Sequence, residues 1–476
     1  MASAQNMVGV AAGGASTSMI KIVGRFAAVL IPALFWFLPL GLDPKIQHTL
    51  AITMFMIIGW ITEALDHAVT GLIGCFLFWA LHVTDFTTAF SGFANDTTWF
   101  LVGAFLFGAM ATKTGLARRL AYLIMAFVGT TYSQILLGLI ISDFVLTFFV
   151  ASAIARVVIM ASIGLGLMEV FDLPKGSNVG RGMFMILTYT ANIFDKMIIA
   201  GASSILARGG IAQYGHVEVL YSRWFIAYLP CSLITIFAAW RLTLWLYPPE
   251  KKELPGGAAF FRAELKRMGK WSPMEKKAFF LMMVALVLWF TDFWHKQSPS
   301  LIGFGIGLVA LMPVIGVLDV EDLRKVNYLP VFFVAAALGM GNVLVATKAL
   351  DVLTNVMFAW MTPLVHSVYG STLVLYWTAF VYHIFLASEI SMLGTSIPLL
   401  MKFSIERGLD PLAIGMIWTF AAGGKIFVYQ SGVMVVGYSF GYFETKDMFK
   451  IGGWLTIVES LILLLLVPIY WPLIGV

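Results

Sequence analysis

The apolar residues of this chain come in stretches close to the roughly 20 residues that a helix needs to cross a hydrocarbon core. Eleven such stretches begin near Phe26, Gln47, Val69, Trp99, Met183, Trp224, Ala278, Leu301, Leu329, Leu412 and Leu455. Two further ones, Ile135 to Leu167 and Leu373 to Phe403, are too long for one helix and carry polar residues inside. Each is either two spans or a re-entrant hairpin with its tip at mid-membrane. Of the 476 residues 60% are apolar and 12% charged, against about 45–50% and about 25% in an ordinary soluble protein. Too little polar surface is available to coat a soluble body of this size. The chain is expected to be an all-α polytopic membrane protein of about 11 transmembrane helices and two re-entrant hairpins. A cytoplasmic enzyme, a disulfide scaffold, a disordered chain and a nucleic-acid binder are excluded.

The net charge of +5 is concentrated in one loop. Residues 248–277 hold eight Lys/Arg against four Glu, and such an excess marks a cytoplasmic linker. Lys113, Arg118, Arg119, Lys446 and Lys450 fall on the same side if both long stretches are hairpins, whereas His82 to Thr98 has acidic residues and no Lys or Arg. Residues 1–25 read as an N-terminal tail and 26–46 as the first span, since Asp43, Pro44 and Lys45 do not resemble a signal-peptide cleavage site. Cys75 and Cys231 lie inside apolar runs and read as small hydrophobes. The chain has no HExxH, CxxC or Walker loop, so nucleotide, zinc and cofactor chemistry have no foothold. No enzyme and no cofactor are expected. The localisation expected is an inner (plasma) membrane, with the lipid bilayer as surroundings.

An internal repeat is visible. Trp60-Ile61-Thr62-Glu63 is followed by Leu72-Ile73-Gly74, and Trp289-Phe290-Thr291-Asp292 by Leu301-Ile302-Gly303, with an offset of 229 at every matched position. The following stretches correspond in order. Repeat 1 covers 47–247, with a hairpin near 135–167 and a broken helix near 183–210; repeat 2 covers 278–476, with a hairpin near 373–403 and a broken helix near 412–440. Five crossings per copy is an odd number, so the copies enter the membrane in opposite directions. Inverted repeats of this kind are the architecture of secondary carriers.

The segment Trp60-Ile61-Thr62-Glu63-Ala64-Leu65 with Val69-Thr70, the stretch from Ala94-Asn95 to Leu120 ending in Thr114-Gly115-Leu116, and Gly441-Tyr442-Phe443 with Lys446-Asp447-Met448 resemble motifs of the divalent anion/sodium symporter family, carriers of dicarboxylates, citrate and sulfate. The resemblance runs from about Gly59 to Leu465. It implies a homodimer in which two hairpin tips and two broken-helix loops enclose sodium ions and the substrate's carboxylates. The binding motifs depart from the family pattern. The tips read Ser152-Ala153-Ile154 and Ser388-Glu389-Ile390, where the family has Ser-Asn-Thr. The loops read Asn192 to Ser204 and Gly423 to Gly432, without Pro-Pro-Asn.

Asp143, Arg156, Asp195, Lys196, Glu389 and Lys425 fall within apolar stretches, where a charge must face protein or a water-filled cavity. They either line a substrate path or pair with one another, as Asp195 with Lys196. Lys196 and Lys425 are again separated by 229 residues and sit beside predicted helix breaks. The expected substrate-binding residues are Ser152, Arg156, Asn192, Lys196, Ser203, Ser204, Ser388, Ser391, Lys425, Gln430 and Ser431. Asp195, Glu389 and His383 are expected to act in coupling or charge balance, although His383 reads more readily as a packing residue. Metal ligands are unassigned, and coupling stays open between sodium, a proton and exchange. The expected function is secondary transport of a small organic or inorganic anion, carboxylate- or sulfate-like, without sodium. The alternatives are a sodium-coupled dicarboxylate symporter and an anion channel.

Overall fold

The computed structural model describes residues 19–476 except 252, 314 and 387, so most of the expected N-terminal tail lies outside the described residues. The first helix, α1 (Met19–Phe37), begins well before Phe26. Arg25 is accommodated inside it because its Nε donates to the Ala64 carbonyl at 3.0 Å. The chain then runs through α2 (Pro44–Thr62), α3 (His67–Ala80), a short helix (Phe86–Ala89), α4 (Asp96–Thr114), α5 (Leu116–Met125), α6 (Tyr132–Phe149), α7 (Ala153–Phe171), α8 (Asn178–Met197), α9 (Ala202–Gly215) and α10 (Tyr221–Leu246). After α11 (Gly257–Met268) a similar order of elements follows, with an added short helix (Asp292–His295) between the first two. It comprises α12 (Pro273–Phe290), α13 (Pro299–Val309), a short helix (Val320–Arg324), α14 (Leu329–Ala346), α15 (Ala349–Phe358), α16 (Val368–Phe385), α17 (Glu389–Glu406), α18 (Pro411–Ala421), α19 (Gly432–Ser439) and α20 (Thr445–Ile469).

Most helices begin several residues before the apolar run that announces them. The reason is capping: Asp43, Asn95, Ser177, Ser272 and Asp410 each accept a hydrogen bond from a first-turn amide, so a polar first turn is helical too. Short helices (α3, α13 and α18) and polar first turns lower the span count. Among the described residues six segments are long and apolar enough to cross a membrane (α6, α7, α8 with α9, α10, α14 and α20), or seven with the pair α4–α5. The first turns of α2 and α12, with Lys45 and with Glu275, Lys276 and Lys277, keep those helices out of the count. The α4–α5 pair is bent by 68° at Gly115, whose φ of +77° is left-handed backbone that suits glycine.

The segment 248–277 is more than a linker. It folds as α11, with Phe261 buried. The Leu254 amide donates to the Thr130 carbonyl at 2.7 Å, and Arg119 bonds Glu275 at 2.7 Å. Lys113 pairs with Asp319 and Asp322 at 2.8 and 2.5 Å, and Tyr247 donates to Asp447 at 2.9 Å. A second set of contacts ties other helix ends together: Asp292 accepts from the Tyr221 amide at 2.6 Å, Lys402 pairs with Asp351 at 2.6 Å, and Asn342 donates to Ser91 at 2.8 Å.

Candidate functional site

Four helices begin at one buried place. α7 and α17 start after the breaks inside the two long apolar stretches, and α9 and α19 start after the breaks that follow α8 and α18. Their N-cap residues are Ser152, Ser388, Gly201 and Ser431. The hydroxyls of Ser152, Ser388 and Ser431 accept from the amides of Ala155, Ser391 and Val433 at 3.3, 3.2 and 3.2 Å. Gly201 has no side chain with which to cap α9. Other first-turn amides are left without an intrahelical partner, and each helix start carries the positive end of its dipole.

All four N-caps line a cavity of about 160 Å³. Asn192, Asp195, Ser203 and Glu389 supply its other polar walls, and Phe105, Ile154, Pro330, Ile390 and Val433 its apolar ones. Asn192 is only 3% exposed; its Oδ1 accepts from Ser431 at 3.4 Å while its Nδ2 has no hydrogen-bond partner among the described residues. The Asp195 carboxylate lies against the start of α9, where a Cβ on Gly201 would stand 2.1 Å from its Oδ2. Glycine at 201 is what allows this approach. A second cavity of about 220 Å³ adjoins the first, sharing Ser388, Pro330 and Ile390 and reaching Asp66, His67, Asn327 and Ser391.

The cations stand behind these walls. Arg156 is fully buried. Its guanidinium donates to Asp143 at 3.2 Å and to the carbonyls of Val150 and Ala191 at 3.0 and 2.6 Å, and lies 3.7 Å from Asp195. Arg156 rather than Lys196 is therefore the cation beside Asp195. Glu389 is held between two lysines: one carboxylate oxygen accepts from Lys196, the other from Lys425 at 2.7 Å. Lys196 also donates to the Thr419 carbonyl at 3.1 Å, so a side chain from the first break crosses to the helix preceding the second. Gly423 leaves room for it, since a Cβ there would stand 2.3 Å from the Lys196 Cε.

Of the residues expected at the site, Ser152, Asn192, Ser203, Ser388 and Ser431 line the first cavity, as do Asp195 and Glu389; Ser391 lines the second. Arg156, Lys196, Lys425, Ser204, Gln430 and His383 do not line either. Ser204 donates to the Asp195 carbonyl at 2.9 Å. Gln430 accepts from the amides of Ile426 and Phe427 at 2.7 and 2.8 Å, closing the second loop. The His383 Nε2 meets the Gln430 carbonyl at 3.0 Å. Sequence reasoning missed Phe105, Pro330 and Val433, ordinary apolar residues with no local mark. It also missed Glu459, a buried carboxylate in α20 that accepts from the Tyr376 hydroxyl at 3.1 Å.

A membrane-spanning helical protein that gathers four helix N-termini around one buried cavity has the architecture of an anion carrier. The chain belongs to the divalent anion/sodium symporter family: residues 19–476 match the family described as the sodium:sulfate symporter transmembrane region. It is 22% identical to the citrate/succinate antiporter of Escherichia coli K12, covering 92% of this chain and 94% of the relative. It is 24% identical to the sodium-dependent dicarboxylate transporter SdcS of Staphylococcus saprophyticus, covering 95% and 91%. The fold is similar to the crystal structure of the YdaH transporter of Alcanivorax borkumensis, with a TM-score of 0.57 at 13% identity over 96% of this chain and 99% of that one. The protein is an integral membrane transporter of anions, not an enzyme.

Proposed function

We propose that this chain is a sodium-independent secondary carrier of a small anion, working by alternating access between two inverted-repeat halves. The observation that carries the reading is the buried Lys196–Glu389–Lys425 triad. Two ammonium groups and one carboxylate sum to one positive charge, the charge of one sodium ion. They sit where the second hairpin tip meets the two helix breaks. Ammonium groups are compact cations with three donors each, and these are tethered, so they supply the charge without being transported. Relatives include both an antiporter and a sodium-dependent transporter, so coupling is a property of each chain's own residues.

The cavity also suggests the kind of anion. Ile154 and Ile390 stand in its wall where the resembled motif has Thr. Each lost hydroxyl leaves a substrate oxygen without a donor, at roughly 1–3 kcal/mol. A substrate with one strongly anionic end and an apolar body fits better than a compact tricarboxylate. The Lys/Arg-rich segment 248–277 supports placing the loops of Lys113, Arg119 and Tyr247 in the cytoplasm. In that arrangement the first hairpin is entered from the cytoplasm and the second from outside, in a homodimer in the plasma membrane.

Uptake and counterflow in proteoliposomes test this. Succinate, citrate, sulfate and 2-hydroxyethanesulfonate are compared in choline and in sodium buffers at one pH. Equal uptake in both buffers, greatest for the sulfonate, is expected. Strict sodium dependence discards the triad's role, and citrate as the best substrate discards the reading of the two isoleucines.

A further inference from the structure

The buried carboxylates differ in what holds them. Asp143 has the Arg156 guanidinium at 3.2 Å. Glu389 has an ammonium on each oxygen. Glu459 accepts from Tyr376 but does not line the cavity. Of the two that line the cavity, Asp195 is the more loosely held: its ion pair with Arg156 spans 3.7 Å, its Oδ1 has no hydrogen-bond partner among the described residues, and its side chain is 14% exposed.

Charge counting shows what an anion would meet there. Arg156, Lys196 and Lys425 face Asp143, Asp195, Glu389 and Glu459, three positive groups against four negative, all of them side chains deep in the helical core. Fully ionised, the cluster is already negative by one, and an arriving anion makes it negative by two or more. At separations of a few ångströms, away from bulk water, such repulsion opposes anion entry strongly. The Asp195 carboxylate also rests on the start of α9, the one cavity helix without a side-chain cap. Its negative charge thereby occupies the positive end of α9 that an anion in the cavity would face.

Resting on the anion-carrier reading above, we propose that Asp195 is the coupling-proton acceptor, and that the protein is an anion–proton symporter in which the proton rides on the Asp195 carboxylate. Water on the entry side supplies the proton, an O–H bond forms at the carboxylate, and the bond breaks to water after the anion has left on the other side. Protonation removes the repelling charge from the start of α9 and gives the substrate a donor. Glu389 is excluded from this role by its two lysines, and His383 by its seat against the Gln430 carbonyl away from the cavity.

The test uses the full-length protein in sodium-free proteoliposomes, with whichever of succinate, sulfate or 2-hydroxyethanesulfonate gives saturable counterflow. A pH dye inside the vesicles should report acidification when that anion enters. With one proton per monoanion, an imposed gradient of one pH unit should drive about tenfold accumulation, the factor that one unit of proton activity represents. Asp195→Asn and Asp195→Ser should lose the dependence of uptake on external pH, whatever their absolute rate, and Asp195→Glu should keep it. Sodium-independent counterflow in a wild type whose net anion uptake carries no proton, or which shows no net uptake at all, overturns this inference and leaves the carrier reading standing. Proton-driven accumulation in Asp195→Asn overturns the residue assignment. Absence of counterflow for every anion refutes the carrier reading instead.

Discussion

Replacing Glu389 by Gln removes the single negative charge between Lys196 and Lys425 while keeping the shape of the side chain. Both ammonium groups then remain buried, 3% and 1% exposed as residues, with no carboxylate between them. Removing one partner of a buried ion pair costs about 3–5 kcal/mol, because the other charge stays behind uncompensated. Here two charges stay behind, so Glu389→Gln should lie at or above the top of that range. Lys196→Met is the informative contrast. It leaves Glu389 with Lys425 at 2.7 Å, a matched pair, and loses one ammonium that had also satisfied the Thr419 carbonyl. It should cost well under half as much. Thermal unfolding of the purified protein in detergent, followed by the loss of the monodisperse peak on size exclusion, measures both variants. Added anion should partly rescue Glu389→Gln, since an ion in the cavity can stand in for the missing carboxylate. Equal destabilisation of the two variants would refute the reasoning that charge balance, and not local packing, holds the triad together.

Arg156→Lys should be nearly as damaging as Arg156→Gln, by about 3 kcal/mol or more, because the fork that serves Asp143 and the carbonyls of Val150 and Ala191 cannot be reproduced by an ammonium; a thermal-shift series would show it. Gly201→Ala places a methyl 2.1 Å from the Asp195 Oδ2 and pushes the carboxylate off the start of α9, so half-saturation for the anion should change several-fold with expression unaltered. Single cysteines replacing Arg267 and Lys296, whose side chains are 78% and 58% exposed, should label with a membrane-impermeant maleimide from opposite faces. Labelling from one face would contradict the proposed topology.

Helix class was readable because its signals are local. A run of apolar residues or a serine in the middle of one acts over a few residues wherever the chain lies. The cavity's serines could be named for the same reason, since Ser152, Ser388 and Ser431 are N-caps and a cap is a local event. Helix starts were placed too late wherever a capped polar turn preceded the apolar run, as at Asn178 and Thr445.

Which way a side chain points is not local. In α8 and α9 nearly every position is buried, so no polar stripe marks a cavity face and the helical period carries little information. Asn192, Asp195 and Lys196 lie within five consecutive residues, yet two of them line the cavity and the third turns away to Glu389 and the Thr419 carbonyl. Arg156 is likewise held by a carbonyl of α8, and Glu389 bridges lysines from both helix breaks. The sequence by itself determined that buried charges must be neutralised, because hydrocarbon solvates none of them. Only the tertiary structure decided which charge meets which, because the partners arrive from separate halves of the chain.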